Sequence, residues 1–233
     1  MVKYKIVSIG DLHGRTIWKD IVSKEEDVDK IIIMGDYFDT HENVSARQQI
    51  DNFKDILEYK KANLDKVVLL IGNHDFHYMK GIGETYSGYQ AVHAIDISEL
   101  IHSALDENLI QMCYVSDKYV FTHAGVTKAW VAQNEIDVTN LEQSINDRFK
   151  YKPNSFKFTI GKNYSMYGDD CTQTPIWVRP KALHSDMIDD VICVVGHTNQ
   201  YSIIIRDNVI FIDTLGTSQE YLRIIDGVPS IVK

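Results

Sequence analysis

Apolar and polar positions along this chain follow two regimes. Short β-branched runs recur at residues 4–9 (YKIVSI), 30–34 (KIIIM), 66–71 (KVVLLI), 119–122 (YVFT) and 191–195 (VICVV). Each is too short for a helix and is bounded by glycine or polar residues, so each reads as a buried strand. Between the second and third runs, Ile50, Phe53, Ile56 and Leu57 repeat at helical spacing, and Ser45 with Gln48 three residues on forms a capping box. That predicts a β-α-β unit. Further helices are predicted near Thr16, over 89–105 and over 138–149. The C-terminal quarter changes character. Residues 201–213 read as two strands around Asp207-Asn208, and residues 221–232 as another pair around Asp226-Gly227, a favoured hairpin dipeptide. A mixed sheet or two packed sheets flanked by helices follows.

The chain of 233 residues shows no linker, internal repeat or low-complexity tract, which predicts a single domain over 1–233. Hydrophobic residues at 44% and charged residues at 24% describe an ordinary globular protein. Residues 1–4 lead straight into the first strand, and no apolar run approaches the roughly 18 residues of a membrane span. Cys113, Cys171 and Cys193 are widely spaced and odd in number, which argues against a disulfide framework and fits a reducing cytoplasm. A net charge of -9 disfavours general attraction to nucleic acid or anionic membranes, leaving nucleic acid only as a substrate.

Each strand run ends in a loop that offers oxygen or imidazole ligands. Asp11 and His13 lie in 10–14 (GDLHG), Asp36 and Asp39 in 35–39 (GDYFD), and Asn73 and His74 in 72–75 (GNHD). His123 opens 123–125 (HAG), and His197 lies in 196–198 (GHT). The C-terminal ends of strands in one sheet lie side by side, so these loops are expected to converge. A donor set without thiolates suits Mn, Fe or Zn, and not a structural zinc knot. Taken alone, the first loop has a plainer reading, with Asp11 capping the next helix and His13 decorating a turn.

The ordered series GD-x-HG, GD-x-x-D, GNH plus an acid, H-x-G and GH resembles the calcineurin-like metallophosphoesterase superfamily. Within it the likeness is to the phosphoprotein-phosphatase branch and its bacterial and phage relatives, over about residues 4–226. The resemblance implies an α/β fold, a four-layer αββα sandwich of two mixed β-sheets flanked by helices. It also implies two divalent metal ions, Mn first, with Fe or Zn compatible. Asp36 is then the bridge, Asp11 and His13 complete one metal, and Asn73, His123 and His197 complete the other. A shared carboxylate offsets the repulsion of two cations roughly 3.5–4 Å apart, and a hydroxide between them is the implied nucleophile. His74 is implied as general acid, its imidazole held by Asp39. Asp39 also reads as an N-cap for the following helix. Residues 174–180 (TPIWVRP) resemble a Trp-x-Arg stretch of the bacterial branch, which makes Arg179 a phosphate-binding residue. Its plainer reading is a surface residue before Pro180.

Two positions depart from the pattern. Thr40-His41 stands where the phosphatase branch usually has Arg-Gly, so one phosphate-gripping arginine is missing, with Arg15 or Arg47 as substitutes. Asn199 stands where the wider superfamily often has a second histidine. Of the remaining histidines, His93 and His102 read as helix residues, His41 and His77 flank site loops and read as solvated loop residues with substrate contact as the alternative, and His184 carries no signal. Residues 76–89 are either a substrate-contacting lid or a plain loop. The function that follows is metal-dependent hydrolysis of phosphate monoesters, with a phosphorylated protein or a small phosphate ester as substrate. Serine, threonine or tyrosine phosphoproteins lead, and a nucleotide, a dinucleoside polyphosphate or a nucleic acid is the alternative. A non-catalytic scaffold that keeps its metal site is the alternative of another class.

Overall fold

The structure is a computed structural model that describes residues 4–162 and 164–233; Met1–Lys3, read above as the lead into the first strand, lie outside them. In chain order, β1 (Lys5–Ile9), α1 (Trp18–Lys24), β2 (Lys30–Ile33), α2 (Ala46–Ala62), β3 (Val67–Leu70) and α3 (Asn73–Phe76) come first. Then come α4 (Ala94–Asp106), β4 (Ile110–Gln111), β5 (Tyr114–Ser116), β6 (Tyr119–Phe121), α5 (Lys128–Gln133) and α6 (Leu141–Tyr151). The chain closes with α7 (Pro180–Ser185), β7 (Ile192–Val195), β8 (Ile204–Arg206), β9 (Val209–Phe211), β10 (Tyr221–Ile225) and β11 (Val228–Val232). Among the described residues no helix is long and apolar enough to cross a membrane.

One sheet has the order β11-β10-β1-β2-β3-β4 and the other β5-β6-β7-β9-β8. Both are mixed. β1, β2 and β3 run parallel, as do β6, β7 and β9, while the C-terminal hairpins pair antiparallel. Side chains alternate across the strands and so define the layers. Ile6, Ile32, Val68 and Leu70 meet Phe121, Val194 and Ile210 between the sheets. Val7, Ile31, Ile33 and Leu69 face the other way, onto Trp18, Ile50, Phe53 and Ile101 of the helices. Cys193, Val195 and Phe211 pack on Leu183 of α7. This is the four-layer αββα sandwich expected.

The Ser45–Gln48 capping box forms, with the Gln48 N–H donating to Ser45 Oγ and the Ser45 N–H donating to Gln48 Oε1 at 2.9 Å. At the last hairpin Asp226 and Gly227 both take positive φ, 50° and 75°, the backbone that a tight hairpin turn requires. The predicted helices over 89–105 and 138–149 each open with a 3-10 turn, at Ala91–His93 and Val138–Asn140, before α4 and α6 begin. One expectation is corrected. The five loops do not leave a single sheet: β1, β2 and β3 belong to one sheet, and β6 and β7 to the other.

Candidate metal centre and active site

The loops after β1 and β2 are joined edge to edge. The His13 N–H donates to Asp36 O at 2.6 Å, and the Gly14 N–H donates to Tyr37 O at 2.9 Å. His13, Asp36, Asp39 and His197 all have left-handed backbone, with φ of 44°, 50°, 63° and 62°. Such conformations cost energy in non-glycine residues and persist where the surroundings enforce them, commonly at functional sites. Two glycines make room for the carboxylates. A Cβ at Gly72 would collide with Asp36 Oδ1, and one at Gly196 with Asp11 Oδ1.

Asp36 lies at the centre. Its Oδ1 accepts the His74 N–H at 2.9 Å, and its Oδ2 is 3.3 Å from His123 Nε2 and 3.6 Å from His13 Nε2. Two backbone carbonyls orient the imidazoles: His123 Nδ1 is 2.9 Å from Met34 O, and His13 Nδ1 is 2.8 Å from Phe38 O. In each ring that leaves Nε2 turned toward Asp36. Asn73 Oδ1 stands 3.0 Å from both His123 Nε2 and His197 Nδ1. The His197 N–H donates to Asp11 Oδ2 at 2.8 Å. The structure thus gathers Asp11, His13, Asp36, Asn73, His123 and His197 around one point.

Electrostatics test whether a cation belongs there. Burial opposes protonation of His123, yet Asp36 and Asp11 outweigh it and raise its pKa to about 10. Burial, and then Asp213, push Asp11 well above the usual carboxylate range. Burial alone would raise Asp36 too, but His123 and His74 hold it well below that range. Asp11 Oδ1 and His197 Nε2 are buried without a hydrogen-bond partner. Ligand atoms of Asp11, Asp36 and His123 lie within 4.8 Å of one another. Buried carboxylates that draw a proton onto the adjacent imidazole, together with orphaned oxygen and nitrogen donors, fit divalent cations.

His74 Nδ1 is 3.0 Å from Asp39 Oδ2. Burial disfavours a charged His74, but Asp36 and Asp39 overcome that and raise its pKa. Burial would likewise raise Asp39, yet hydrogen bonds from His74 and Tyr78 and the adjacent His77 ring bring it to about 2. The capping alternative for Asp39 is not taken up, because Ser45 caps α2. Arg179 precedes α7, with Nη1 3.1 Å from Thr198 Oγ1 and Nε donating to Tyr167 O at 3.0 Å. It lines one cavity with His13, Asp36, Asn73, His74 and His197, and Tyr86 and Trp177 form part of the wall. Tyr86 and Ser87 are the members of the 76–89 stretch that border it.

Arg15 is placed elsewhere. Its Nε donates to Glu42 Oε1 at 2.7 Å and its Nη1 reaches the Asp11 and Leu12 carbonyls, so the guanidinium braces the first loop and does not line that cavity. Arg47 is exposed and pairs with Asp51 at 3.4 Å. Thr40 Oγ1 accepts the Glu42 N–H at 3.0 Å. Asn199 lies against the buried Asp213 carboxyl. His77, read from the sequence as a solvated loop residue, is buried, with Nε2 2.7 Å from Asp39 Oδ2. The signal available was its spacing: three residues after His74, it falls on the same side of a helical turn. The tie made by Asp75 was also missed. Its carboxylate accepts backbone N–H groups of Gly72, Asp36 and Tyr37 at 2.8–2.9 Å.

Solved structures carry the same architecture. The crystal structure of a cold-active protein-tyrosine phosphatase from a psychrophilic Shewanella species aligns with a TM-score of 0.61 at 18% identity, over 99% of this chain and 80% of that one. A protein serine/threonine phosphatase from Saccharomyces cerevisiae, described as similar to human phosphatase PP5, aligns at 0.60 and 10% identity, over 100% and 80%. A comparison with curated protein sequences finds no match. The buried acid–imidazole cluster on this fold, together with the chain's family match, makes the protein a metal-dependent phosphoesterase. The family model of calcineurin-like phosphoesterases matches residues 4–201, and the chain belongs to that family.

Proposed function

We propose that this chain hydrolyses phosphate monoesters as a protein phosphatase, acting on phosphoserine, phosphothreonine or phosphotyrosine with two divalent metal ions, Mn first among them. The observation that carries this reading is the cavity of about 210 Å³ that joins Asp36, Asn73, His74, Arg179 and His197. Sites that engulf small ligands span roughly 300–1,000 Å³. The smaller volume suits a phosphoryl group presented on a chain that stays outside, and favours that over a nucleotide or dinucleoside polyphosphate. The three cysteines, all free, support a cytoplasmic location.

Asp11, His13 and Asp36 would hold one metal, and Asp36, Asn73, His123 and His197 the other. Bound there, divalent metals supply charge neutralisation at the phosphoryl oxygens and activation of water. Arg179 orients the phosphate: Thr198 and Tyr167 fix its guanidinium beside the cavity, and a planar fork matches two phosphate oxygens. His74 keeps Nδ1 on Asp39 and presents Nε2 to the leaving oxygen, where it delivers a proton.

The test is hydrolysis of p-nitrophenyl phosphate with added Mn and an EDTA control, followed by phosphopeptides against diadenosine polyphosphates. Loss of activity on chelation, about two metals per chain by elemental analysis and higher kcat/KM on phosphopeptides are expected. Full activity without metal overturns the mechanism. Higher kcat/KM on the diadenosine substrates transfers the assignment to nucleotides, and no turnover with metals bound leaves the scaffold.

A further inference from the structure

His77 closes α3 with a ring that is wholly buried. Its Nδ1 accepts the backbone N–H of Tyr86 at 3.1 Å, so the neutral ring carries its proton on Nε2. That nitrogen is 2.7 Å from Asp39 Oδ2, the same oxygen that His74 Nδ1 approaches at 3.0 Å. The other oxygen, Oδ1, accepts the Tyr78 hydroxyl at 2.6 Å and the Gln90 amide at 3.3 Å. The His77 ring stacks on Tyr86, centroids 5.0 Å apart and planes 16° from parallel, and meets Tyr78 and Tyr89 edge-on.

These contacts leave the ring little freedom to rotate. Tyr78 and Gln90 hold Oδ1, but Oδ2 has only the two imidazoles against it; with His77 gone, His74 alone would bear on that oxygen, and the carboxylate could tilt about its side-chain torsion and take the imidazole with it. Small displacements of a reacting group cost rate steeply, about 10²-fold for an ångström.

We propose that His77 is a positioning residue: anchored by the Tyr86 backbone and the tyrosine rings, it fixes the Asp39 carboxylate and through it the direction in which His74 delivers its proton. This rests on the reading of His74 as general acid. Asp39, His74 and His77 also lie close enough to hold a cation. Coordination through His77 Nε2 would require the proton on Nδ1, directed against the Tyr86 N–H, which opposes that use.

The test compares His77→Phe, which keeps the ring stack and removes both nitrogens, with His77→Gln, whose amide reaches the Nε2 position. Kinetics on p-nitrophenyl phosphate and on an alkyl phosphate separate the roles, because only the alkoxide leaving group needs a proton. His77→Phe is expected to lose about tenfold more kcat on the alkyl ester than on the aryl ester, at similar KM, and His77→Gln to recover most of the difference. Two-bond 1H–15N spectra of the metal-free protein should show a bare Nδ1 on His77. If His77→Phe does not fold, His77→Asn, too short to reach Asp39, takes its place. Equal losses on both esters, Gln no better than Phe, or a protonated Nδ1 overturns the proposal while the phosphatase reading stands. A wild type inactive on both esters with Mn removes that reading and the proposal together.

Discussion

The buried carboxylate of Asp75 accepts the backbone N–H of Asp36 at 2.8 Å, tying the loop after β3 to the loop after β2. The same oxygen takes the Gly72 N–H, and its partner oxygen takes that of Tyr37. Asp75 therefore sets the backbone that carries Asp36 without itself reaching the cavity. Asp75→Asn places an amide NH₂ against one of these N–H groups. The expected cost is about 1–3 kcal/mol of stability, read by urea denaturation. Divalent-metal affinity should fall about 10–100-fold, read by calorimetric titration.

His74→Asn should retain bound metal and lower kcat about 10²–10⁴-fold on alkyl phosphates. The loss should shrink for p-nitrophenyl phosphate, whose leaving group departs without a proton. Equal losses on the two substrates would contradict a proton-donating role for His74.

Arg179 and Arg15 should part company. Arg179→Ala removes a guanidinium from the cavity wall and should raise KM for phosphate monoesters about tenfold or more, since a charge-assisted contact is worth about 1.5–3 kcal/mol. Arg15→Ala should leave KM within about twofold and lower the thermal midpoint, because its guanidinium is bonded to Glu42 and to loop carbonyls. A KM rise in Arg15→Ala matching that of Arg179→Ala would restore Arg15 as a phosphate ligand.

Glu25 gives the stability a predictable pH dependence. Burial alone would raise its pKa, but hydrogen bonds from Arg223, Lys5 and Tyr221 hold it below the ordinary value of 4.5. A carboxylate with a lowered folded-state pKa adds stability above its unfolded value and loses it as pH falls through the folded one. The wild type should therefore lose stability as pH drops below about 4.5, and Glu25→Gln should show a shallower slope there. Unfolding free energies measured from pH 6 to 3 would show it; parallel slopes would refute the assignment.

Much of this was legible in the chain. The apolar runs, the Ser45 cap and the two hairpin turns are local signals, and they produced the strands, α2 and the C-terminal hairpins where expected. The candidate ligand loops were legible because Asp, Asn and His follow directly on apolar runs, and the structure brings those residues together. What did not show was long-range. Nothing local says that β6 and β7 leave the first sheet, because a buried strand carries no mark of which neighbours it pairs with. The short β4 and β5 gave too little pattern to read. His77 and Asp75 were obscured in the same way: their partners, Asp39 and the Asp36 N–H, are 38 and 39 residues distant.

The division of the ligand loops between two sheets has a mechanical consequence. Among the described residues the sheets share no strand pairing; they meet through packed side chains and a few isolated hydrogen bonds such as that from the Tyr119 hydroxyl to Gly227 O, and such a seam slides more easily than a hydrogen-bonded ladder shears. Asp11, Asp36 and Asn73 ride on one, His123 and His197 on the other, so a cation held among them rivets the two halves of the sandwich. Any ligand that binds only the native state raises its stability by mass action. Metal supply would then govern how long the folded molecule survives as well as how fast it turns over, and stripping the ion would loosen the seam before it unravelled either sheet.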